Sequence, residues 1–163
     1  MKNILAIMGV LALSFCFLCQ VPAVWASSDK DAFVDYSKSI SGIADLESKS
    51  MDKYNECRQK AKENTLSDAS FATTLEKDIV PTYSQFVFKL KKIKTPNVEL
   101  GSLHKFYIEG ANSQLTGLRM MIDALKKSDI GKVKQANKFL EVGTSKIETW
   151  SSTYDTIKKK YGF

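Results

Sequence analysis

Between Leu100 and Leu125 the apolar residues Leu100, Leu103, Tyr107, Ala111, Leu115, Leu118, Ile122 and Leu125 recur at steps of three and four. That spacing gathers them on one face of an α-helix and scatters them over both faces of a strand. Three other stretches repeat it. Phe33, Tyr36, Ile40, Ile43, Tyr54, Cys57 and Ala61 mark the first, and Phe71, Leu75, Ile79, Tyr83, Phe86, Leu90 and Ile93 the second. Val133, Ala136, Leu140, Gly143, Ile147, Trp150, Tyr154, Ile157 and Tyr161 mark the last, with a coiled-coil alternation. No strand pattern or repeat interrupts them. The chain is predicted to be all-α, an up-down-up-down four-helix bundle of long helices with connections of a few residues.

The helix ends follow from caps and breakers. A first helix is expected over 29–62, followed by a turn at 63–68 in which Ser67 or Asp68 caps the next helix. Pro81 lies inside the second stripe. Proline lacks the amide donor and crowds the carbonyl four residues back, so the second helix is expected to be kinked or broken there, as segments 68–79 and 81–94. Thr95 is the expected cap of the third helix, with Pro96 in its first position. Ser128 and Asp129 are cap candidates for the fourth, and Gly162 is expected to end it in the left-handed conformation. Two irregularities stand out. Glu47 and Ser50 fall where the first stripe calls for apolar residues, so the helix either bends there or faces something polar. Ala136 and Gly143 leave a recess on the fourth helix, which an aromatic ring from a facing helix is expected to fill.

The first 26 residues are set apart. MKN, the apolar run ILAIMGVLALSFCFL and then VPAVWA have the three parts of a secretory signal, with cleavage expected after Ala26. The apolar run falls short of the roughly 20 residues that span a bilayer. Cys16 and Cys19 lack the small preceding residue of a lipid-anchoring site. A single domain is expected over 27–163, exported to the periplasm or the medium. Its sole cysteine, Cys57, allows no intrachain disulfide; it is read as a small buried hydrophobe, a bond between chains being the alternative.

Charge is unevenly spread. Residues 27–80 carry 8 basic and 11 acidic side chains, whereas residues 81–163 carry 15 basic and 7 acidic. A lysine-rich side of this kind suits an anionic lipid, a polysaccharide or an acidic protein. Nucleic acid is not expected in an exported chain whose positive charge is nearly all lysine. Phe88 and Phe106 lie off the apolar stripes, beside Lys89, Lys91, Lys92, Lys94 and Lys105. These seven residues form the candidate binding surface.

Catalysis and cofactors find little support among the residue types. His104 is the only histidine, and Glu99 and Glu109 each lie five residues from it, so the Glu-x-x-His pairs of di-iron bundles are absent. No Cys-x-x-Cys-His motif attaches haem, and no Gly-x-Ser-x-Gly elbow carries a nucleophile. His104 is placed on the shoulder of the core as a structural residue. The alternative is a haem or metal carrier in which His104 acts with Met51, Met120 or Met121.

Pro81, Phe86, Leu90, Ile93 and Pro96, followed by Leu103-His104, Tyr107 and Gln114, form a pattern that resembles small uncharacterised exported bacterial helical-bundle proteins. In these a proline and six residues precede Leu-His and an aromatic. The resemblance implies bacterial export and a helical bundle, and no activity or cofactor. The function expected is that of an exported, non-enzymatic bundle that binds an envelope protein or an anionic surface through its lysines. A further reading is an oligomeric structural protein.

Overall fold

The computed structural model describes residues 24–163, with side-chain environments from residue 28 onward. Nearly all of the expected signal segment, with Cys16 and Cys19, lies outside the described residues. What is described is helical throughout. α1 spans Val24–Lys62, α2 spans Asp68–Thr74, a π-helical turn spans Leu75–Ile79, α3 spans Val80–Leu90, α4 spans Val98–Lys126 and α5 spans Ile130–Lys160. α2, the π turn and α3 follow one another without a gap, so four helical stretches form the bundle. None of these helices is long and apolar enough to cross a membrane.

The caps explain the boundaries. Ser67 sits in extended backbone, and its hydroxyl accepts from the Ser70 amide at 3.2 Å. Asp129 accepts from the Lys132 amide at 3.0 Å. At α4 the expectation is corrected: Asn97, not Thr95, is the cap. Its backbone is extended and its side chain accepts from the Leu100 amide at 2.9 Å, so Pro96 lies before the helix instead of in its first turn. Gly162 does adopt a positive φ, of 78°. The amides of Gly162 and Phe163 close back onto the carbonyls of Lys159 and Lys158, the paired bonds of a Schellman end.

At Pro81 the hydrogen bonding does not stop. Pro81 lies in the first turn of α3, where its missing donor matters least, and the turn before it widens so that the Val80 amide bonds the Leu75 carbonyl five residues back. The apolar phase is kept across the junction, with Leu75, Ile79, Tyr83 and Phe86 all buried.

The core follows the stripes closely, with one large exception where α4 meets α5. This is the most extensive helix pairing in the molecule. Gly110 and Gly117 of α4 face Gly143 and Ala136 of α5. A Cβ added at Gly143 would lie 2.8 Å from the Gly110 carbonyl oxygen and 2.9 Å from the Gln114 nitrogen; one at Gly117 would lie 2.8 Å from the Ala136 oxygen. The recess at Ala136 and Gly143 is therefore filled by the backbone of α4 and the Gln114 side chain, and not by an aromatic ring. Two small residues seven apart on each helix let the chains touch. The Ser113 hydroxyl donates across the seam to the Phe139 carbonyl at 2.8 Å. Near the connection, Lys127 and Lys132 both bind Asp123 at 2.7 Å, which holds its carboxyl down to about 2.

α1 is held differently. Its backbone approaches α3 closely but stays mostly more than 8 Å from α5. The space is crossed by large side chains: Trp150 donates to the Tyr36 hydroxyl at 3.0 Å, Tyr154 donates to Ser37 at 2.8 Å, and Phe33 stacks on Tyr154 with ring centres 5.1 Å apart. Cys57 is buried on this helix, and burial raises its thiol above the usual range.

The two kinds of glycine in these helices make opposite predictions. Nothing lies within 4 Å of a Cβ built at Gly42, so Gly42→Ala is expected to stabilise the fold by about 0.5–1 kcal/mol through helix propensity. Gly143→Ala drives a methyl into the α4 backbone and is expected to cost about 1–3 kcal/mol despite the same propensity gain. Urea unfolding of the two variants checks this, and a stabilised Gly143→Ala would refute the close seam.

Candidate functional site

Two polar constellations lie where chemistry or binding has the best chance, one inside the bundle and one at its end. The inner one is built on tyrosines from three helices. Tyr36, Tyr83 and Tyr107 sit on the apolar stripes of α1, α3 and α4, where their rings join the core and their hydroxyls must find partners there. Each does. The Tyr83 hydroxyl donates to Gln114 Oε1 at 2.5 Å, and Gln114 Nε2 donates to Thr144 at 3.1 Å. The Tyr107 hydroxyl donates to Glu47 Oε2. This is the polar surface that the first stripe's irregularity requires. The neighbouring Ser50, also buried, donates to the Leu46 carbonyl of its own helix at 2.7 Å.

His104 belongs to the same interior. It is 5% exposed, inside the core and not on its shoulder. Its Nε2 lies 3.1 Å from the Leu90 carbonyl oxygen, which can only accept, so Nε2 carries the proton. In the neutral ring Nδ1 is then an acceptor, and the Tyr36 hydroxyl donates to it at 3.2 Å. With Trp150 donating to Tyr36, a directed chain runs from the indole through the phenol and the imidazole to the end of α3. Burial lowers the His104 pKa, and the bond to Leu90 offsets only part of that. Burial also pushes the Tyr36 hydroxyl up to about 12 and raises Tyr83 and Tyr107 further. Ligation of haem iron or a metal through His104 would require one of its two bonds to be given up. Among the described residues no group of three or more His, Cys, Asp or Glu side chains has metal-site geometry.

Among the described residues Glu47 is the carboxylate drawn into this interior. Burial raises its pKa, and the Tyr107 hydrogen bond draws it back only in part. The Tyr107 ring stacks on Trp150 at 4.1 Å, closing the polar layer with an aromatic one.

The outer constellation lies around the end of α3 and the start of α4. Lys89 is in the last turn of α3, and Lys91, Lys92 and Lys94 follow it on the connection. All four are exposed, and none pairs with a carboxylate among the described residues. Phe88 is 60% exposed, with the Lys92 ammonium 4.0 Å above its ring. Lys105 stands apart, 3.9 Å from Glu109 and beside the open depression at Thr95, Pro96 and Asn97. Phe106 is 42% exposed, and its ring meets no aromatic or cationic partner among the described residues. Five of the seven predicted surface residues thus share one short stretch, Phe88 to Lys94, and Lys105 and Phe106 form a second. Comparison with protein-family models, curated proteins and solved structures gives no match.

The inner network was missed by hydrophobic periodicity because Tyr counts as apolar there. The available signal was the use of tyrosine instead of phenylalanine at in-phase positions of three helices, together with Glu47 and Gln114.

Two predictions follow from the network's protonation. His104→Ala takes the acceptor from the Tyr36 hydroxyl proton and one of two donors from the Leu90 carbonyl, opens a cavity, and is expected to cost about 2–4 kcal/mol in urea unfolding. Since the folded-state pKa of His104 is depressed, the wild-type chain should also lose stability as pH falls below the free-histidine value of about 6.5, and the variant should lack that contribution. Glu47 has the opposite sign: with a raised folded-state pKa it favours the fold at low pH, and that contribution is lost as pH rises from the unfolded carboxyl value through the folded one. Glu47→Gln keeps an acceptor for Tyr107 and should flatten this slope and raise the melting temperature at pH 7.

Proposed function

We propose that this chain is an exported, non-enzymatic helical bundle that docks onto an anionic component of the cell envelope through the lysines and aromatics at the end of α3. The reading takes residues 1–26 as a cleaved leader and residues 27–163 as one periplasmic or extracellular domain. It takes the four helical stretches as up-down-up-down, bent at Pro81. Cross-links support that topology: Asn97 at the start of α4 bonds Asp29 at 3.0 Å, Glu99 pairs with Lys160 at 2.9 Å, and Lys126 pairs with Glu76 at 2.8 Å.

The observation that carries the proposal is Phe88, an exposed ring in a run of lysines that pair with no carboxylate among the described residues, with Lys92 standing over the ring. Lysines near a helix C-terminus have a structural role too, because they complement the negative end of the helix dipole. A solvent-facing phenylalanine beside them has no such role. It costs solubility unless something covers it, and an acidic membrane surface offers apolar depth under negative head groups. That combination favours an anionic bilayer over an acidic protein, which would satisfy the lysines alone.

Co-sedimentation with phosphatidylglycerol vesicles tests the proposal. Binding should be strong at low salt, weak on zwitterionic vesicles, and largely lost at about 0.5 M salt, where charges are screened within a few ångströms. Replacing Lys89, Lys91, Lys92 and Lys94 together by Gln should weaken binding at least tenfold, at about 1 kcal/mol per lysine near the surface. Phe88→Ser should weaken it without changing the salt dependence. Vesicle binding indifferent to all five substitutions would refute the proposal.

A further inference from the structure

The gap between α1 and α5 is not uniform along its length. Near Leu140 it is lined by Arg58, Glu141 and Glu148 together with amides and hydroxyls, so charges of both signs compete there. Toward the chain's C-terminal end it becomes a cleft of about 430 Å³ whose walls are Phe33, Val34, Tyr154 and Phe163. That volume is within the range of small-molecule sites.

Three observations define what the cleft accepts. Two of its three lining hydroxyls are already spent: the Tyr154 hydroxyl donates to Ser37 Oγ at 2.8 Å, and Ser37 Oγ donates to the Phe33 carbonyl at 2.7 Å, which leaves the exposed Ser41. Between the rings and Ser37 a ligand's polar groups would find no free partner, and an apolar chain would lose none. Next, two cations stand at the rim on opposite walls, Lys38 on α1 and Lys158 on α5, and among the described residues no acidic side chain lines the cleft. Lys158 has no carboxylate within ion-pair distance among the described residues, and Lys38 reaches only Asp35 of its own helix, at 3.6 Å, with both side chains largely exposed. Last, one wall is anchored: Phe33 is 2% exposed and its ring meets Tyr154, Tyr161 and Phe163, so that side of the cleft is preformed, while Phe163 closes it as a half-exposed ring.

We infer that this cleft is a binding site for the anion of a single-chain fatty acid, with the alkyl chain laid along Val34 and Phe163 against the touching Phe33 and Tyr154 rings, and the carboxylate between Lys38 and Lys158. The site is separate from the lysines of the α3 end and does not depend on them.

Isothermal titration of the protein recovered after export, with dodecanoate kept below its micelle concentration, tests the inference. One molecule should bind per chain with a dissociation constant in the micromolar range, about 1–100 μM. The double variant Lys38→Gln, Lys158→Gln should weaken dodecanoate at least about tenfold, yet leave the uncharged dodecanol unchanged. Val34→Trp fills the cleft and should abolish both. Melting temperatures separate lost binding from lost folding, and if the tryptophan variant does not fold, the surface lysine variants still decide the matter. Equal binding of dodecanoate and dodecyltrimethylammonium, indifference to the two lysine substitutions, several molecules per chain, or no heat at about 1 mM ligand would each overturn the inference.

Discussion

Backbone contact between α4 and α5 is the constraint on which the remaining geometry rests. Where Gly110, Gly117, Ala136 and Gly143 meet, these positions carry little or no bulk of their own, and the backbone and the Gln114, Leu140 and Ile147 side chains of the facing helix come up against them. Helix pairs normally pack at 8–10 Å, set by the side chains at the crossing, and a seam of this kind lies at the near end of that range. Drawing α4 and α5 together on one side leaves more space on the other, and this space is where α1 lies apart from α5. Ordinary aliphatic residues would not span it. Phe33, Tyr36, Trp150 and Tyr154 do, and their length explains why rings are concentrated at this interface.

Rings that cross a gap bring their polar ends with them. Tyr36 and Trp150 meet in the interior, where an unpaired donor costs about 1–3 kcal/mol. The hydrogen-bond chain through His104 to Leu90 removes that cost and ties α1, α3, α4 and α5 together at one level. Tyr83 with Gln114 and Tyr107 with Glu47 do the same at other points along the bundle. Directed bonds of this sort fit only one vertical alignment of the helices. Apolar stripes alone would tolerate a slip of one turn.

The helical class and the greater part of the core are legible in the spacing of apolar residues, because burial on a helix leaves a period that composition does not hide. Cap residues are legible where a single candidate presents itself, as at Gly162. At Thr95-Pro96-Asn97 the expected cap is Thr95, whereas the cap formed is Asn97, held by the extended backbone it adopts and by Asp29 of another helix, neither of which periodicity reports. The glycine seam escaped because Gly110 and Gly117 have no hydrophobicity to register, although their spacing of seven matches that of Ala136 and Gly143. Among the surface residues, the exposure of Phe88 and Phe106 follows from their phase. The cleft at Phe33 and Tyr154 does not, since both residues lie in phase and read as core until the width of the α1–α5 gap is known.

The unequal attachment of the helices also bears on the order in which they come together. α4 and α5 are joined by three residues, Lys127 to Asp129, so forming their seam closes a very short loop and costs little chain entropy. Docking α1 requires contacts such as Tyr36 with Trp150, 114 residues apart, and these gain little until α5 is already in place. The α4–α5 seam is thus expected to form early, and the pairing of α1 with α5 late. With few backbone contacts between them, α1 and α5 are expected to part before α4 and α5 do, so that any local opening meets the apolar cleft before the seam behind it.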